Sequence, residues 1–211
     1  MSPRRASVNE AMRQRSRERI MKATAELVDG QGYAGTTLAD IARHAGIARG
    51  LVSYYFSGKR LLLQSAVHRE MHLHLAAELD RLPDDAAPDA RLACAVDSIL
   101  GFALAHPRLM RSHLALILDP DAGGFVQDPE QRRLGALLQG VLLARGSTAP
   151  EADHAVLRAS LMGGCMGVLL PGAETPLVPI RADLFARYGL AWHLGAPPQP
   201  QPSGRPAADR G

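Results

Sequence analysis

The amino-acid sequence predicts an all-α fold of about nine helices, on the basis of three kinds of pattern. Apolar residues recur at spacings of three and four over long stretches, as they do on one face of an α-helix. Capping residues, prolines and glycines stand where these stretches begin and end. No stretch alternates convincingly as a half-buried strand does. With 211 residues and 46% hydrophobic content, the chain is long enough to bury a sizeable core.

The N-terminal part of the chain is basic. Residues 1–60 hold 11 Lys and Arg against 5 Asp and Glu, whereas residues 61–211 hold 13 against 16. This division favours a phosphate-binding head on a neutral-to-acidic body, although a solvated basic tail has the same charge. Residues 1–19 carry six arginines and no apolar core, so they are predicted to be a basic arm and not a secretory signal, and the chain is expected to be cytoplasmic. The arm either follows phosphates or is a disordered leader.

Three short helices are predicted within the basic part. The first covers about residues 16–30 and ends at Gly30 and Gly32. The second opens at Thr37, because Thr37-Leu38-Ala39-Asp40 has the form of a capping box. It ends before Gly46, where the chain needs a left-handed turn.

The third helix begins at Arg49 and is predicted to bury Val52 and Phe56. Its remaining positions offer an arginine, a glycine, a hydroxyl and aromatic phenols, namely Arg49, Gly50, Ser53 and Tyr55. Such a face suits the major groove, because arginine and hydroxyl groups bond base edges while a phenol reaches phosphate. Lys59 adds a cation beside the backbone N–H groups of the next helix, and both attract phosphate. The alternative is an ordinary helical corner with half-buried tyrosines.

The ordered motifs of about residues 15–65 resemble the N-terminal domain of the tetracycline-repressor (TetR) family of transcriptional regulators. They are an amphipathic helix followed by Gly-Tyr, Thr-Thr, Ile-Ala, Ala-Gly-Ile, Arg-Gly, Tyr-Phe and Lys. The resemblance implies a three-helix helix-turn-helix DNA-binding domain over residues 1–60 and a helical ligand-binding and dimerisation domain over residues 61–194. It implies a bacterial, sequence-specific regulator, expected to be a ligand-released repressor that binds a palindromic operator in double-stranded DNA as a homodimer. The candidate DNA-contacting residues are Thr37, Arg49, Gly50, Ser53, Tyr54, Tyr55 and Lys59.

Three residues depart from the family pattern. Ala48 stands where a capping serine is common, so the third helix is expected to start weakly. Ser53 stands where a tyrosine is usual, a feature shared with choline-type regulators, and base preference therefore does not transfer. Gly58 replaces the usual small capping residue before Lys59.

Six further helices are predicted beyond the head, at about residues 59–82, 88–105, 107–118, 129–145, 148–170 and 179–194. Asp128-Pro129 opens one of them, and Thr148-Ala149-Pro150-Glu151 reads as a second capping box. The first, long helix is interpreted as the connector between head and body. Residues 195–211 are dense in proline and are predicted to be a disordered tail.

The penultimate helix has a run, residues 161–170, that is apolar on all sides and must be buried on more than one side. Gly163, Gly164 and Gly167 would let another backbone approach closely. The last two helices are therefore predicted to pair with their copies in a two-fold dimer, and the alternative is an ordinary core helix. The run is too short to cross a bilayer, so no membrane association is expected.

Chemistry other than binding finds little support. Cys94 and Cys165 lie on apolar stretches and are predicted to be reduced core thiols. His68 and His72 are one helical turn apart, but two ligands do not make a metal site. Neither phosphate loops nor nucleophile or metalloprotease motifs occur, so the chain is predicted not to be an enzyme and to need no cofactor. The competing function is a helical small-molecule-binding or carrier protein without operator binding.

An effector pocket is expected among the body helices, by the same resemblance. Its candidate lining residues are Phe102, His106, Met110, His113, Met162 and Met166, each of a type that is more often found in the core than in a pocket. The body is poor in aromatics, which argues against the aromatic cage that quaternary ammonium ligands favour. A hydrophobic or amphiphilic small molecule is therefore the expected effector.

Overall fold

A computed structural model describes residues 3–119, 128–170 and 177–190, with side chains from residue 9 onward. Within these ranges the chain forms nine α-helices and no β-strand, which confirms the predicted fold class. The helices are α1 Pro3–Gly35, α2 Leu38–Ala45, α3 Arg49–Tyr55, α4 Lys59–Asp80, α5 Pro88–Ala105, α6 Pro107–Leu118, α7 Pro129–Ala144, α8 Pro150–Leu169 and α9 Leu177–Arg187. We call α1 to α3 the head and α4 to α9 the body. The predicted disordered tail, residues 195–211, lies outside the described residues.

Helix α1 is longer than predicted and includes most of the basic arm. It has 33 residues, and its course changes at Gly32, where φ is 80°. The separation into an arm and a helix starting near residue 16 is therefore wrong. Arginine, glutamate, glutamine, methionine and alanine dominate residues 9–19, and all of them favour helix. The glycine bends the chain without ending the helical turns, which continue to Gly35.

The turn between α2 and α3 follows the local rules of the sequence. Thr37 Oγ1 accepts a hydrogen bond from the backbone N–H of Asp40 at 3.1 Å, and the carboxylate of Asp40 accepts one from the N–H of Thr37, also at 3.1 Å. Gly46 ends α2 with φ at 61°, the left-handed conformation expected there. Helix α3 starts at Ala48, which has no polar side chain to cap it, so its start is weak as predicted.

Helix α4 runs through the centre of the molecule. Every residue from Leu62 to His68 is buried, so the helix is covered on all sides over this stretch. It packs against α1 of the head and against α5, α6 and α7 of the body. Helix α6 also packs against α1, so the head rests on both of these helices.

Helices α8 and α9 pack closely through two of the three glycines singled out in the sequence. A Cβ added to Gly167 would lie 2.8 Å from Ile180 Cδ1, and one added to Gly164 would lie 3.2 Å from Ile180 Cγ2. Helix α9 is also fixed to α5, since Arg181 and Asp97 form two parallel hydrogen bonds of 2.5 and 2.8 Å. The glycines at 164 and 167 thus serve packing within the subunit.

Two predicted helix ends are wrong. The capping box at Thr148 does not form, because α8 begins one residue later with Ala149 at the N-cap and Pro150 in the first turn. Helix α9 ends at Arg187, before the expected residue 194, and Gly189 follows it with φ at 62°. The cap at Asp128 is confirmed, since its carboxylate accepts hydrogen bonds from the N–H groups of Glu130 and Gln131.

Both cysteines are free thiols, as predicted, but only Cys165 is buried in the core, whereas Cys94 is half-buried. Burial raises the pKa of Cys165 to about 12. Among the described residues, no group of three or more His, Cys, Asp or Glu side chains is placed to hold a metal ion. In the same ranges, no single helix has the length and apolarity to cross a membrane, and only the pair α5 and α6, bent by 102°, would do so by length and composition.

Candidate DNA interface and effector cavity

The outer face of α3 presents most of the residues predicted to contact DNA. Arg49, Gly50 and Ser53 are exposed, while Val52 on the opposite face is fully buried. A Cβ added to Gly50 would meet nothing within 4 Å. The glycine therefore has no packing role inside the subunit and leaves an open surface beside Arg49.

The two adjacent tyrosines of α3 differ in exposure. Tyr54 is 69% exposed, whereas Tyr55 is half-buried and packs against the core. Their rings meet edge to face with centroids 5.1 Å apart. The expectation that Tyr55 lies on the outer face is therefore only half right, because the side chain of Tyr55 supports that of Tyr54.

Thr37 and Lys59 are both engaged in contacts within the head. The hydroxyl of Thr37 lies 2.6 Å from the Asp40 carboxylate, to which it donates as part of the cap of α2. The ammonium of Lys59 donates to the backbone carbonyl of Tyr33 and lies 4.0 Å from the centroid of that residue's ring. Burial lowers the pKa of Lys59. Lys59 thus fixes the start of α4 to the end of α1.

Two arginines of the predicted arm brace the helix-turn-helix, a role that the sequence did not indicate. Arg17 Nη1 donates to the carbonyl of Tyr55 at 3.1 Å, and its guanidinium lies 4.6 Å from the centroid of the Phe56 ring. Arg19 Nη2 donates to the carbonyls of Ala45 and Gly46 at the end of α2. Arg17 thus holds α3 against α1, Arg19 holds the end of α2 there, and neither contact involves the outer face of α3.

A cavity of about 220 Å³ lies in the body between α4, α5, α6, α7 and α8. Three of the predicted pocket residues line it, namely Met110, His113 and Met162. Phe102 is instead buried against the ring of His106, with centroids 4.7 Å apart, and neither of them lines this cavity; nor does Met166. Most of the wall is aliphatic or thioether, including Met71, Ile99, Leu114, Leu134, Leu138 and Leu161.

One wall of the cavity is polar. His68 Nδ1 lies 2.9 Å from Asp128 Oδ2, and the His68 ring meets the ring of His113 edge to face at 5.0 Å. Among the described residues, His113 Nδ1 and Gln131 Oε1 are buried without a hydrogen-bond partner. Burial, followed by the charge of His68, lowers the pKa of His113 to about 3, so its ring is neutral at neutral pH. Of this wall, only His113 is among the pocket residues expected from the family resemblance.

Helix α6 joins this cavity to the head. It carries His113 at the cavity, and its last turn accepts a hydrogen bond of 2.9 Å from Arg60 Nη2 at the carbonyl of Leu116. At its first turn, His106 Nδ1 lies 2.8 Å from the Asp29 carboxylate of α1. A shift of α6 would therefore be felt at both α1 and α4.

Comparison with known proteins places the chain in a family. Residues 20–66 match the family described as "Bacterial regulatory proteins, tetR family". The HTH-type transcriptional regulator BetI of Stenotrophomonas maltophilia is 32% identical over 164 residues, which are 70% of this chain and 83% of that protein. The chain belongs to the TetR family. Its members are DNA-binding transcriptional regulators, so the function class that the sequence suggested is confirmed.

A second relative is matched over a smaller share of its length, and solved structures are similar in fold. BetI of Paraburkholderia phymatum is 32% identical over 124 residues, which are 58% of this chain and 61% of that protein. Among solved structures, a TetR regulator from Rhodococcus sp. RHA1 has a TM-score of 0.58 at 19% identity, covering 82% of this chain and 93% of its own. FadR of Bacillus subtilis, solved with stearoyl-CoA, has a TM-score of 0.54 at 15% identity, covering 80% of this chain and 95% of its own. These two structures share the fold.

Proposed function

We propose that this protein is a homodimeric repressor that binds a two-fold symmetric operator through α3 and is released by a small molecule bound in the cavity. The observation that carries the proposal is the exposed face of α3, which Arg17 of α1 holds directly while Arg19 holds the turn that precedes it. A short helix with an arginine, a hydroxyl and a phenol on its open side has the groups needed to read a major groove.

The residues of this face have different roles in the proposal. Arg49 and Ser53 contact base edges, and the exposed phenol of Tyr54 reaches a phosphate. Gly50 lets the backbone come close to the DNA. The remaining candidates, Thr37, Tyr55 and Lys59, act on DNA chiefly by holding α3 in place, because their polar or apolar groups are engaged within the head.

The dimer is proposed to form through the outer faces of α8 and α9. Four small or apolar residues of α8 are exposed along one side of the helix, each about one turn from the next. They are Ala152, Val156, Ala159 and Gly163. Val178 adds an exposed apolar side chain on α9. Two-fold pairing of this surface would bury it and present two copies of α3 to one palindromic site.

Release is proposed to run through α6. A molecule that fills the cavity contacts α6 at His113, and the same helix holds α1 through His106 and α4 through the carbonyl of Leu116. If the ligand binds better to one arrangement of α6, it shifts the population toward the head spacing that goes with it. The change in operator affinity equals the differential affinity of the ligand for the two arrangements.

The test is a gel shift on the intergenic DNA upstream of the protein's own coding sequence, at about 50 mM and about 200 mM salt. We expect a discrete, salt-sensitive complex that Arg49→Ala and Tyr54→Ala weaken by tenfold or more, on the scale of about 1–3 kcal/mol for one base contact. Arg81→Ala is the matched control, because Arg81 is also exposed but follows the far end of α4.

Other results would contradict the proposal. If the wild type and the three variants bound this DNA equally, α3 would not recognise DNA sequence. The same would follow if a screen of random duplexes yielded no preferred site. The carrier alternative would then be favoured.

A further inference from the structure

The size and lining of the effector cavity limit the ligand. The cavity has about 220 Å³, and an apolar protein cavity of about 150 Å³ holds one benzene molecule. By proportion this cavity has room for about nine non-hydrogen atoms. Its walls are mostly aliphatic and thioether side chains, so the greater part of the ligand must be apolar.

Two buried polar atoms in the same cavity identify the polar part of the ligand. His113 is only 5% exposed, and neither its Nδ1 nor Gln131 Oε1 has a hydrogen-bond partner among the described residues. Buried polar atoms in proteins are nearly always paired. The amide oxygen of Gln131 can only accept, so its partner must bring a donor, whereas the neutral imidazole of His113 can donate or accept at Nδ1.

Charged ligands fit this wall poorly. The buried carboxylate of Asp128, which contacts His68 of this wall, already accepts from His68 at Oδ2 and from the N–H groups of Glu130 and Gln131 at Oδ1, so a cation would find this counter-charge occupied. No phenylalanine, tyrosine or tryptophan is among the described lining residues, so a quaternary ammonium group would lack aromatic faces. An anion placed against His113 would meet a neutral ring, because burial lowers the pKa of this side chain to about 3. Arg158 also lines the cavity, but it is already engaged within the protein.

We infer that the cavity binds an uncharged, largely apolar molecule of about nine non-hydrogen atoms whose hydroxyl group donates to Gln131 Oε1 and accepts from the Nδ1–H of His113. This inference rests on the proposed role of the cavity as the effector site. A hydroxyl is the smallest uncharged group that brings both a donor and an acceptor.

The experiment is a calorimetric titration of the full-length protein with four probes of similar size. They are para-propylphenol, propylbenzene, para-propylbenzoate and phenyltrimethylammonium. We expect para-propylphenol to bind about tenfold or more tightly than propylbenzene, the factor that one net hydrogen bond supplies. We expect the benzoate and the ammonium to bind more weakly than the phenol. The inference is overturned if propylbenzene equals the phenol, if either ion binds more tightly, or if no probe binds.

Matched variants connect the effect to the named atoms. Gln131→Leu keeps the shape of the side chain but removes the amide, so the advantage of the phenol over propylbenzene should fall toward one while propylbenzene binding is kept. Gln139→Leu is the control, because Gln139 lies on the same helix outside the cavity. An unchanged phenol advantage in Gln131→Leu would overturn the assignment.

The failure of this inference and that of the proposed function can be told apart. Operator binding of the free protein is measured by gel shift without any probe, and it does not depend on the ligand class. If para-propylphenol binds with the expected advantage but leaves the operator complex intact, the ligand class stands and the release mechanism is wrong.

Discussion

Nδ1 of His68 lies 2.9 Å from Oδ2 of Asp128, a residue 60 positions further along the chain. The other oxygen of Asp128 caps α7 by accepting from two backbone N–H groups. One buried carboxylate thus joins the central helix α4 to the start of α7 and contacts His68, which lines the cavity. This relationship has consequences for stability that can be measured.

Removing the carboxylate should be costly. Asp128→Ala loses the cap of α7 and the partner of His68, and we expect the free energy of unfolding to fall by about 3 kcal/mol. Asp128→Asn keeps a capping oxygen but loses the charge facing His68, so about half of that loss is expected. Urea denaturation monitored by circular dichroism measures both. If both variants lost the same free energy of unfolding, the cap of α7 would contribute nothing. If Asp128→Asn were as stable as the wild type, the charged contact with His68 would contribute nothing.

The buried ring of His113 should make stability depend on pH. Burial, followed by the charge of His68, lowers the pKa of His113 from 6.5 to about 3, with Asp128 opposing the shift. Between these two values the unfolded chain binds a proton that the folded protein does not. The free energy of unfolding should therefore fall as the pH is lowered from about 6.5 toward 3. In His113→Leu this slope should be reduced by up to about 1.4 kcal/mol per pH unit.

The control for this pH dependence is Leu134→Ala, which also changes a buried side chain of the cavity wall but removes no titrating group. It should lower the free energy of unfolding by about 3 kcal/mol at every pH, leaving the slope as in the wild type. If His113→Leu and Leu134→Ala gave the same slope, the proton uptake would belong to other groups.

The sequence predicted the features that depend on near neighbours. The capping box of Thr37 and Asp40, the left-handed Gly46 and the cap at Asp128 all involve residues within three positions of each other. The box at Thr148 was a local error, although Pro150 indicated the correct helix start. Proline favours the first position of a helix, which places the N-cap at Ala149.

The contacts that shape the two sites join residues far apart in the chain, and no spacing rule reports them. Arg19 appeared to be one more cation of a basic arm, yet it binds carbonyls 26 and 27 positions later. In the sequence, His68 has only His72 at a ligand-like spacing. Its actual partner, Asp128, is brought to it only by the packing of α7 on α4. In the apolar run of α8, every neighbour was apolar, so the pattern gave no means of separating the inward Gly164 from the outward Gly163.

Arg19 should affect DNA binding by positioning and not by charge. Its guanidinium holds the end of α2, so Arg19→Ala should lower the free energy of unfolding by about 1 kcal/mol and weaken operator binding several-fold. The slope of log affinity against log salt should stay the same, because no phosphate contact is lost. A slope reduced by about one would instead identify Arg19 as a phosphate ligand. Arg15→Ala is the matched control, an exposed arginine on the same helix.

Gly46 provides a second way to disturb the same contact. A Cβ at this position would lie 2.8 Å from Arg19 Nη2, and the residue has φ at 61°. Gly46→Ala should therefore cost about 1–2 kcal/mol of unfolding free energy and weaken operator binding in parallel with Arg19→Ala. In the double variant with Arg19→Ala, the loss of unfolding free energy should be smaller than the sum of the two separate losses, because both substitutions act on one contact. Full additivity in denaturation experiments would contradict a shared mechanism.

Substitutions at Gly163 and Gly164 of α8 should have different effects, the first on dimer assembly and the second on the stability of the subunit. A Cβ at Gly163 would meet nothing within 4 Å in its own subunit, whereas one at Gly164 would lie 3.1 Å from Leu100 Cδ2. Gly163→Arg should therefore leave the subunit folded but place a large charge in the proposed interface, converting dimers to monomers in sedimentation equilibrium. Gly164→Val should instead lower the free energy of unfolding by about 1–3 kcal/mol through overpacking.

The control for the interface is Gly140→Arg on α7, where a Cβ also meets nothing within 4 Å of its own subunit. This variant should remain dimeric and bind the operator as the wild type does, whereas Gly163→Arg should lose operator affinity with its partner subunit, since two linked heads bind a palindrome far more tightly than one. If Gly163→Arg stayed dimeric and Gly140→Arg did not, the interface would lie on α7. If both stayed dimeric with full operator binding, the surface formed by α8 and α9 would not be the interface.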